Sequence, residues 1–350
     1  MIGESHMLKR PLLGITMGDP AGCGPEIAVK ALADQAIYAR CKPLVIGDIG
    51  VMQDALRIAK HPEITLNKVS APSEGKYTFG TIDVYHMDLV DMNRLVYGKV
   101  DAMAGNAAFQ CVKKVIELAM AGEIDATVTG PLNKEAINLA GHHYSGHTEI
   151  YAHYTNTEKY TMMLAHHDLR VVHVSTHVSL REACDRVKKA RVLDVIRIAD
   201  RACRDLGITN PKVGVAGLNP HAGENGMFGR EEIDEIMPAI EAACAENINA
   251  LGPVPPDTLF SKALGGWYDI AVCMYHDQGH IPLKVIGFVY DREKQCWDAV
   301  EGVNITLGLP IIRCSVDHGT AFGHAGTGVA NALSLINAID YAIRFAEAKK

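Results

Sequence analysis

Three β-forming runs in this chain leave a histidine just past their ends. "RVVHVST" (170–176) leads into His177, "KVGVAGLN" (212–219) into Pro220 and His221, and "DIAVCMY" (269–275) into His276. A lone histidine after a strand is ordinarily a satisfied polar residue. Parallel strands bring their C-terminal ends onto one rim, however, so three imidazoles can converge there. Three neutral imidazoles with an open position make a catalytic metal site, and Zn²⁺ is the ion such a set favours. The third run continues as "HDQGHIPLK" (276–284), which brings Asp277 and Lys284, two ionisable residues near the strand boundary, each more commonly a solvated surface charge than an acid–base group.

Other polar clusters also follow apolar runs. In "GDPAGCGPEI" (18–27), Gly18, Gly22 and Gly24 allow a tight turn, while Pro25 and Glu26 suit the first turn of a helix. Such a turn can admit a phosphate near a helix start, though it matches neither G-x-G-x-x-G nor G-x-x-x-x-G-K-[ST]. "YSGHTE" (144–149) offers His147 and Thr148 at a helix entrance, as anion donors or as a simple cap. "DHGTAFGHAGTG" (317–328) is a glycine-rich turn before the last helix, and Asp257 in "PPDTLF" is a further ionisable group at a loop boundary. Lys134 in "PLNKEA" is another. Each of these charges is more commonly a solvated surface group than an acid–base catalyst.

The elements that must position these residues alternate. Strand-like runs at 12–17, 43–47, 81–87, 125–130, 161–165, 170–176, 212–218, 269–275 and 310–316 are separated by helical patterns, clearest over 101–121. There Ala108, Cys111, Val112, Val115, Ile116 and Ala119 share one face. The alternation predicts an α/β fold with a largely parallel sheet, whose ligands gather beyond the carboxyl ends of strands. Helices are also expected over 190–206, 231–245 and 329–347.

Composition bounds the partners. The net charge of −7 leaves no basic surplus for nucleic acid, although a few cations can still hold one phosphate. No apolar run reaches the roughly 20 residues that span a bilayer. Nine scattered cysteines without a C-x-x-C pair, several inside apolar runs (Cys111, Cys273), read as reduced thiols of a cytoplasmic protein. The opening "MIGESHM" is expected to stand outside the fold.

Taken together, "GDPAGCGPE", "TGPLNKEA", "SGHTE", "VSTH", "GLNPHAGE", "PPDTLF", "MYHDQG", "GVNITLGLPIIR" and "DHGTAF" resemble, in this order, the PdxA family of 4-hydroxythreonine-4-phosphate dehydrogenases. The resemblance covers nearly the whole chain from about residue 12. It implies an isocitrate/isopropylmalate dehydrogenase-like fold: two α/β/α domains, 12–130 with 302–350 and 131–301, with the active-site cleft between them. By motif it makes His177, His221 and His276 the metal ligands, one supplied by the partner in a homodimer with shared active sites. His147, Thr148, Lys284, Asn304 and Arg313 would bind substrate, and Gly319, Thr320, Ala321 and Gly326 the nucleotide. Gly323-His324 stands where related dehydrogenases carry Asp-Ile, which leaves adenosine recognition open.

The implied reaction uses NAD and a divalent metal: Zn²⁺, with Mg²⁺, Mn²⁺ or Co²⁺ workable. It oxidises C3 of a small 4-phosphorylated acid, which then loses CO₂. Asp277, Asp257 and Lys284 are the candidates for supporting the metal or moving protons. The spellings "PLNKEA", "HVSTH", "GENGMFG" and "YHDQGHIPLK" are closer to the branch acting on 4-phospho-D-threonate or 4-phospho-D-erythronate than to the vitamin B6 branch. Phosphate acyltransferases share the broad fold but need no three histidines. One departure stands out: "VYDREKQCWDAVE" (289–301) is longer than the family's usual connection between "IGF" and "GVN". It reads as a solvent-exposed hairpin, with an altered lid or dimer contact as the alternative.

Overall fold

The structure is a computed structural model that describes residues 10–293 and 296–349; the opening "MIGESHM" lies outside these. The chain forms two compact units, one of residues 10–150 with 318–348 and the other of 151–317. The boundaries thus fall after 150 and 317, not after 130 and 301. Two pairings explain the shift. The helix Lys134–Leu139 packs on Ala102–Met120, where Gly105 admits it: a Cβ there would stand 2.2 Å from Ala136 backbone atoms. The last two strands of the second unit bond to its own sheet.

In the first unit the strands are β1 (Leu12–Thr16), β2 (Lys42–Gly47), β3 (Thr65–Val69), β4 (Thr81–His86) and β5 (Ala126–Thr129). They run parallel in the order β3-β4-β2-β1-β5. Buried Leu13, Ile15, Leu44, Ile46 and Val128 make the core of this sheet. The helix expected over 101–121 is Ala102–Met120. Asp101 caps it by accepting the Ala104 N–H, a bond worth about 1 kcal/mol. Its predicted face is buried except for Ala119, which is half-buried.

The second unit holds β6 (Thr161–His166), β7 (Leu169–His173), β8 (Val213–Ala216), β9 (Ala250–Val254), β10 (Ile270–Cys273), β11 (Phe288–Asp291), β12 (Cys296–Val300), β13 (Val303–Leu307) and β14 (Arg313–Val316). Its sheet runs β14-β13-β6-β7-β10-β8-β9. Here the expectation of a largely parallel sheet needs correction. Strands β7, β10, β8 and β9 are parallel, but β6 is antiparallel to both β7 and β13, and β13 to β14. The cause is connection length. Only His167 and Asp168 separate β6 from β7, and parallel neighbours need a long crossover. Strands β11 and β12 pair separately as an antiparallel hairpin, so the 289–301 extension has the expected hairpin form. Arg292 and Glu293 at its turn are exposed. Leu164, Leu169, Val171, Ala271 and Cys273 belong to the core that the helix His276–Gly287 joins through its own Leu283.

Candidate active site

In the second unit, β7 and β10 lie side by side and run the same way, Cys273 opposite His173. Their continuations deliver His177 and His276, whose ring centroids stand 5.7 Å apart. Both line a pocket of about 450 Å³ with Thr176, Ser179, Tyr275 and Asp277. His276 opens the helix His276–Gly287, with Tyr275 extended before it. Its Nδ1 donates to Asp277 Oδ1 at 2.7 Å, leaving Nε2 available for a ligand.

The third predicted ligand is placed apart. His221 is exposed, 3.7 Å from Glu224 Oε2 and beside the Phe228 ring, and is absent from the lining of that pocket. Within one chain the three histidines do not form a compact donor set among the described residues. His221 sits in an unusual backbone: residues 221–225 are all left-handed, four of them not glycine. Each such residue costs roughly 1–2 kcal/mol, so the turn must be held from outside. Buried Glu232 does this. Its Oε1 accepts from the backbone N–H groups of Leu218 and Asn219, at 2.7 and 2.8 Å, and its Oε2 from the Asn219 amide at 3.0 Å. Glu232 lies in a single π-helical turn, Glu232–Ile236, ahead of the helix Met237–Ala245.

Beneath His276 lie two histidines that the strand-end search missed. His280, one helical turn on, stacks on His276, and its Nδ1–H lies 2.9 Å from the His276 carbonyl and 3.2 Å from His173 Nε2. His173 donates from Nδ1 to Met162 O at 3.4 Å. Burial pushes His173 down to about 4, and burial also lowers His280, so both rings are neutral acceptors or donors, not charges. The i,i+4 spacing in "HDQGH" was the available signal for His280.

Lys284 is two turns beyond His276. Its Nζ lies 3.8 Å from Asp317 Oδ2 and 4.9 Å from the Phe288 ring centroid. Asp317 is a largely enclosed carboxylate, its side chain 9% exposed, whose pKa burial raises and the Lys284 charge opposes. Arg313 is 3% exposed on β14; its Nη1 donates to Thr306 Oγ1 at 2.8 Å and lies 3.5 Å from Asn304 Oδ1. Its guanidinium stands 5.6 Å from the Tyr151 ring centroid. Thus Arg313 and Asn304 are brought together, as are His276, Asp277 and His177. Asp257 is exposed in the first turn of the helix Pro256–Leu264 and makes no hydrogen bond to these groups among the described residues.

In the first unit, His147 and Thr148 start the helix His147–Tyr154, as expected from "SGHTE". The 18–24 turn and the 319–328 turn pack on each other. The Cys23 N–H donates to Thr320 O at 2.9 Å, and a Cβ on Gly22 would stand 2.9 Å from that same oxygen. Glu26 accepts from the N–H groups of Gly328 and Ala330, while Lys30 donates to both their carbonyls. This staple fixes the turn that carries Gly319, Thr320, left-handed Ala321 and Gly326. Beside it, His318 is half-buried and burial lowers its pKa; its Nε2 is buried and has no hydrogen-bond partner among the described residues.

Residues 39–342 match the family described as pyridoxal phosphate biosynthetic protein PdxA. The D-threonate 4-phosphate dehydrogenase of Salmonella typhimurium is 47% identical over 342 residues, spanning 97% of this chain and 100% of that one. The enzyme of the same name from Pectobacterium atrosepticum is 46% identical over 335 residues, spanning 96% and 99%. The crystal structure of 4-hydroxythreonine-4-phosphate dehydrogenase from Klebsiella pneumoniae aligns with a TM-score of 0.85 at 44% identity, covering 96% of this chain and 99% of that one.

Proposed function

Because the chain belongs to the PdxA family and is an oxidoreductase, we propose that it oxidises C3 of 4-phospho-D-threonate or 4-phospho-D-erythronate. The resulting β-keto acid loses CO₂ to give dihydroxyacetone phosphate. The single observation that carries this choice is the shared name of the full-length curated relatives, D-threonate 4-phosphate dehydrogenase. Among the described residues, no helix is long and apolar enough to cross a membrane, which agrees with a cytoplasmic enzyme of a soluble metabolite.

The donors present fit a divalent metal. Asp277 fixes the His276 tautomer, and His177 faces the same pocket. His177, His276 and a His221 would hold it, with Zn²⁺ favoured by the imidazoles. The separation of His221 from the other two within one chain supports a homodimer in which the partner completes the set. The nucleotide side also fits: the 319–326 turn offers backbone N–H groups and small residues, and His318 Nε2 is a buried, unpaired acceptor. When bound, the metal supplies Lewis acidity at the C3 oxygen and NAD accepts the hydride.

The chain's own residues do the rest. Arg313, buried and fixed by Thr306, presents a fork suited to a carboxylate or phosphate, with Asn304 beside it. Lys284, next to Asp317, holds or moves the proton that leaves the C3 hydroxyl and the one that returns to carbon after decarboxylation. Asp277 keeps His276 oriented. Asp257 is the remaining acid candidate, and Asp257→Asn tests it.

A second reading has its own support, because the solved Klebsiella pneumoniae homologue is named for 4-hydroxythreonine 4-phosphate. That substrate carries an amine at C2 in place of a hydroxyl and would yield 3-amino-2-oxopropyl phosphate. Metal-loaded protein offered each phosphorylated acid separately, with NADH absorbance as readout, separates the two. Turnover of a phosphosugar acid with release of dihydroxyacetone phosphate supports the first reading; preference for the amino acid replaces it with the second.

A further inference from the structure

The β6–β7 turn and the base of the β11–β12 hairpin bring two imidazoles and a carboxylate together. His166 ends β6 with its Nε2 2.9 Å from Glu301 Oε2, and His167 Nε2 stands 3.2 Å from the same oxygen. One donor atom from each residue lies within 4.8 Å of the others. The two rings meet edge to face, at 74° and 4.4 Å between centroids, so they approach the carboxylate from different directions. His167 reaches it through a left-handed backbone, φ 50°, a conformation uncommon outside glycine. Glu301 is fixed from behind: its N–H donates to Gly287 O, next to the Phe288–Val300 pair that closes the hairpin. His166 is one-tenth exposed and packs on Gly287, where a Cβ would stand 2.9 Å from its Cδ2.

We infer that His166, His167 and Glu301 form a second divalent-metal site, for an ion of the Zn²⁺, Co²⁺ or Ni²⁺ class, that staples the hairpin to the β6–β7 turn. Two imidazole nitrogens and one carboxylate oxygen are the donors such ions take. With bonds of about 2.0–2.1 Å, neighbouring donors of a tetrahedral set stand roughly 3.3 Å apart, so the two imidazole–carboxylate spacings of 2.9 and 3.2 Å need only a small opening. The site is separate from the His177–His276 pocket. His276 starts the helix His276–Gly287 and His166 packs at its far end, about 16 Å away along the axis. The carboxylate is the last residue of the 289–301 extension, which gives that extension a role the proposed reaction does not require.

The test strips the full-length protein of metal with a chelator and titrates it with Zn²⁺, counting bound metal per chain. Wild type should hold one equivalent more than His167→Ala and one more than Glu301→Gln. His177→Ala reports the pocket separately and should keep the extra equivalent, so failure of the proposed reaction and failure of this site are distinguishable. His167 is exposed, so its replacement leaves the fold intact. Hydrogen exchange across 288–300 should also slow with Zn²⁺ in wild type and stay unchanged in His167→Ala. Equal metal content in wild type and both variants, or exchange in the hairpin that ignores Zn²⁺, overturns the proposal.

Discussion

The imidazole of His280 lies flat on that of His276, with ring centroids 3.5 Å apart and planes 11° apart. Asp277 holds one edge of the His276 ring and His280 supports its face, while His280 is itself anchored on His173. Groups that orient a ligand ring typically change metal affinity when removed. His280→Leu fills much of the same space without the hydrogen bonds. It is expected to weaken divalent-metal binding by about 10–100-fold, read by calorimetric titration. Unchanged affinity would show that Asp277 alone sets the ring.

Gly279 makes room for His173, on which that stack is anchored. In a helix, Gly→Ala ordinarily gains roughly 0.5–1 kcal/mol. Here a Cβ would stand 2.5 Å from His173 Nε2 and 2.9 Å from Cys273 Sγ, both buried on paired strands that cannot retreat. The clash outweighs the propensity gain. Gly279→Ala is expected to lose about 1–3 kcal/mol of stability in urea denaturation, the opposite sign from an ordinary helix glycine.

Glu232 holds the left-handed turn of His221 by accepting three N–H bonds. Glu232→Gln is nearly isosteric but turns one acceptor into a donor facing other donors. A lost bond of this kind costs about 1–3 kcal/mol, enough to release residues 221–225 from their strained backbone. The variant is expected to show weaker metal dependence of turnover, with kcat falling more than KM rises. A pure stability loss with unchanged metal response would assign Glu232 to the fold alone.

How far the sequence carried the fold depends on pattern strength. Strands with two buried faces, such as "DIAVCMY", and the Ala102–Met120 helix are plain in the hydropathy. Thr65–Val69 was not, because it is an edge strand with one buried residue, Val69, and Ala250–Val254 was hidden by its Gly-Pro. The antiparallel β6–β7 pair was missed because a two-residue connection gives little signal beyond its length. In the candidate site, His177 and His276 were readable from strand ends. His280 was signalled only by its i,i+4 spacing from His276, while His173, Glu232 and Asp317 were not legible, since each acts through a partner distant in sequence or buried behind the visible motif. The hairpin form of 289–301 was legible; its delivery of Glu301 to the β6–β7 histidines was not, because that contact spans 135 positions.

Asp19, in the glycine-rich turn after β1, gives a pH test independent of the histidines. Its Oδ1 accepts the Ala21 N–H at 2.9 Å, while its buried Oδ2 has no hydrogen-bond partner among the described residues. Burial pushes its pKa from 3.8 up to about 6, against the pull of the Ala21 bond. The folded chain therefore holds this proton more tightly than the unfolded chain. The stability that the protonated group contributes is fully present below 3.8 and is lost as pH rises toward about 6. Asp19→Asn keeps the acceptor for Ala21 and never ionises. Relative to wild type, its stability should climb between about pH 4 and pH 6 and then level off, by about 3 kcal/mol in all at ~1.4 kcal/mol per unit. Urea midpoints of both proteins across that interval measure it. A difference that stays flat with pH would mean that Asp19 ionises in the folded chain as readily as in the unfolded one.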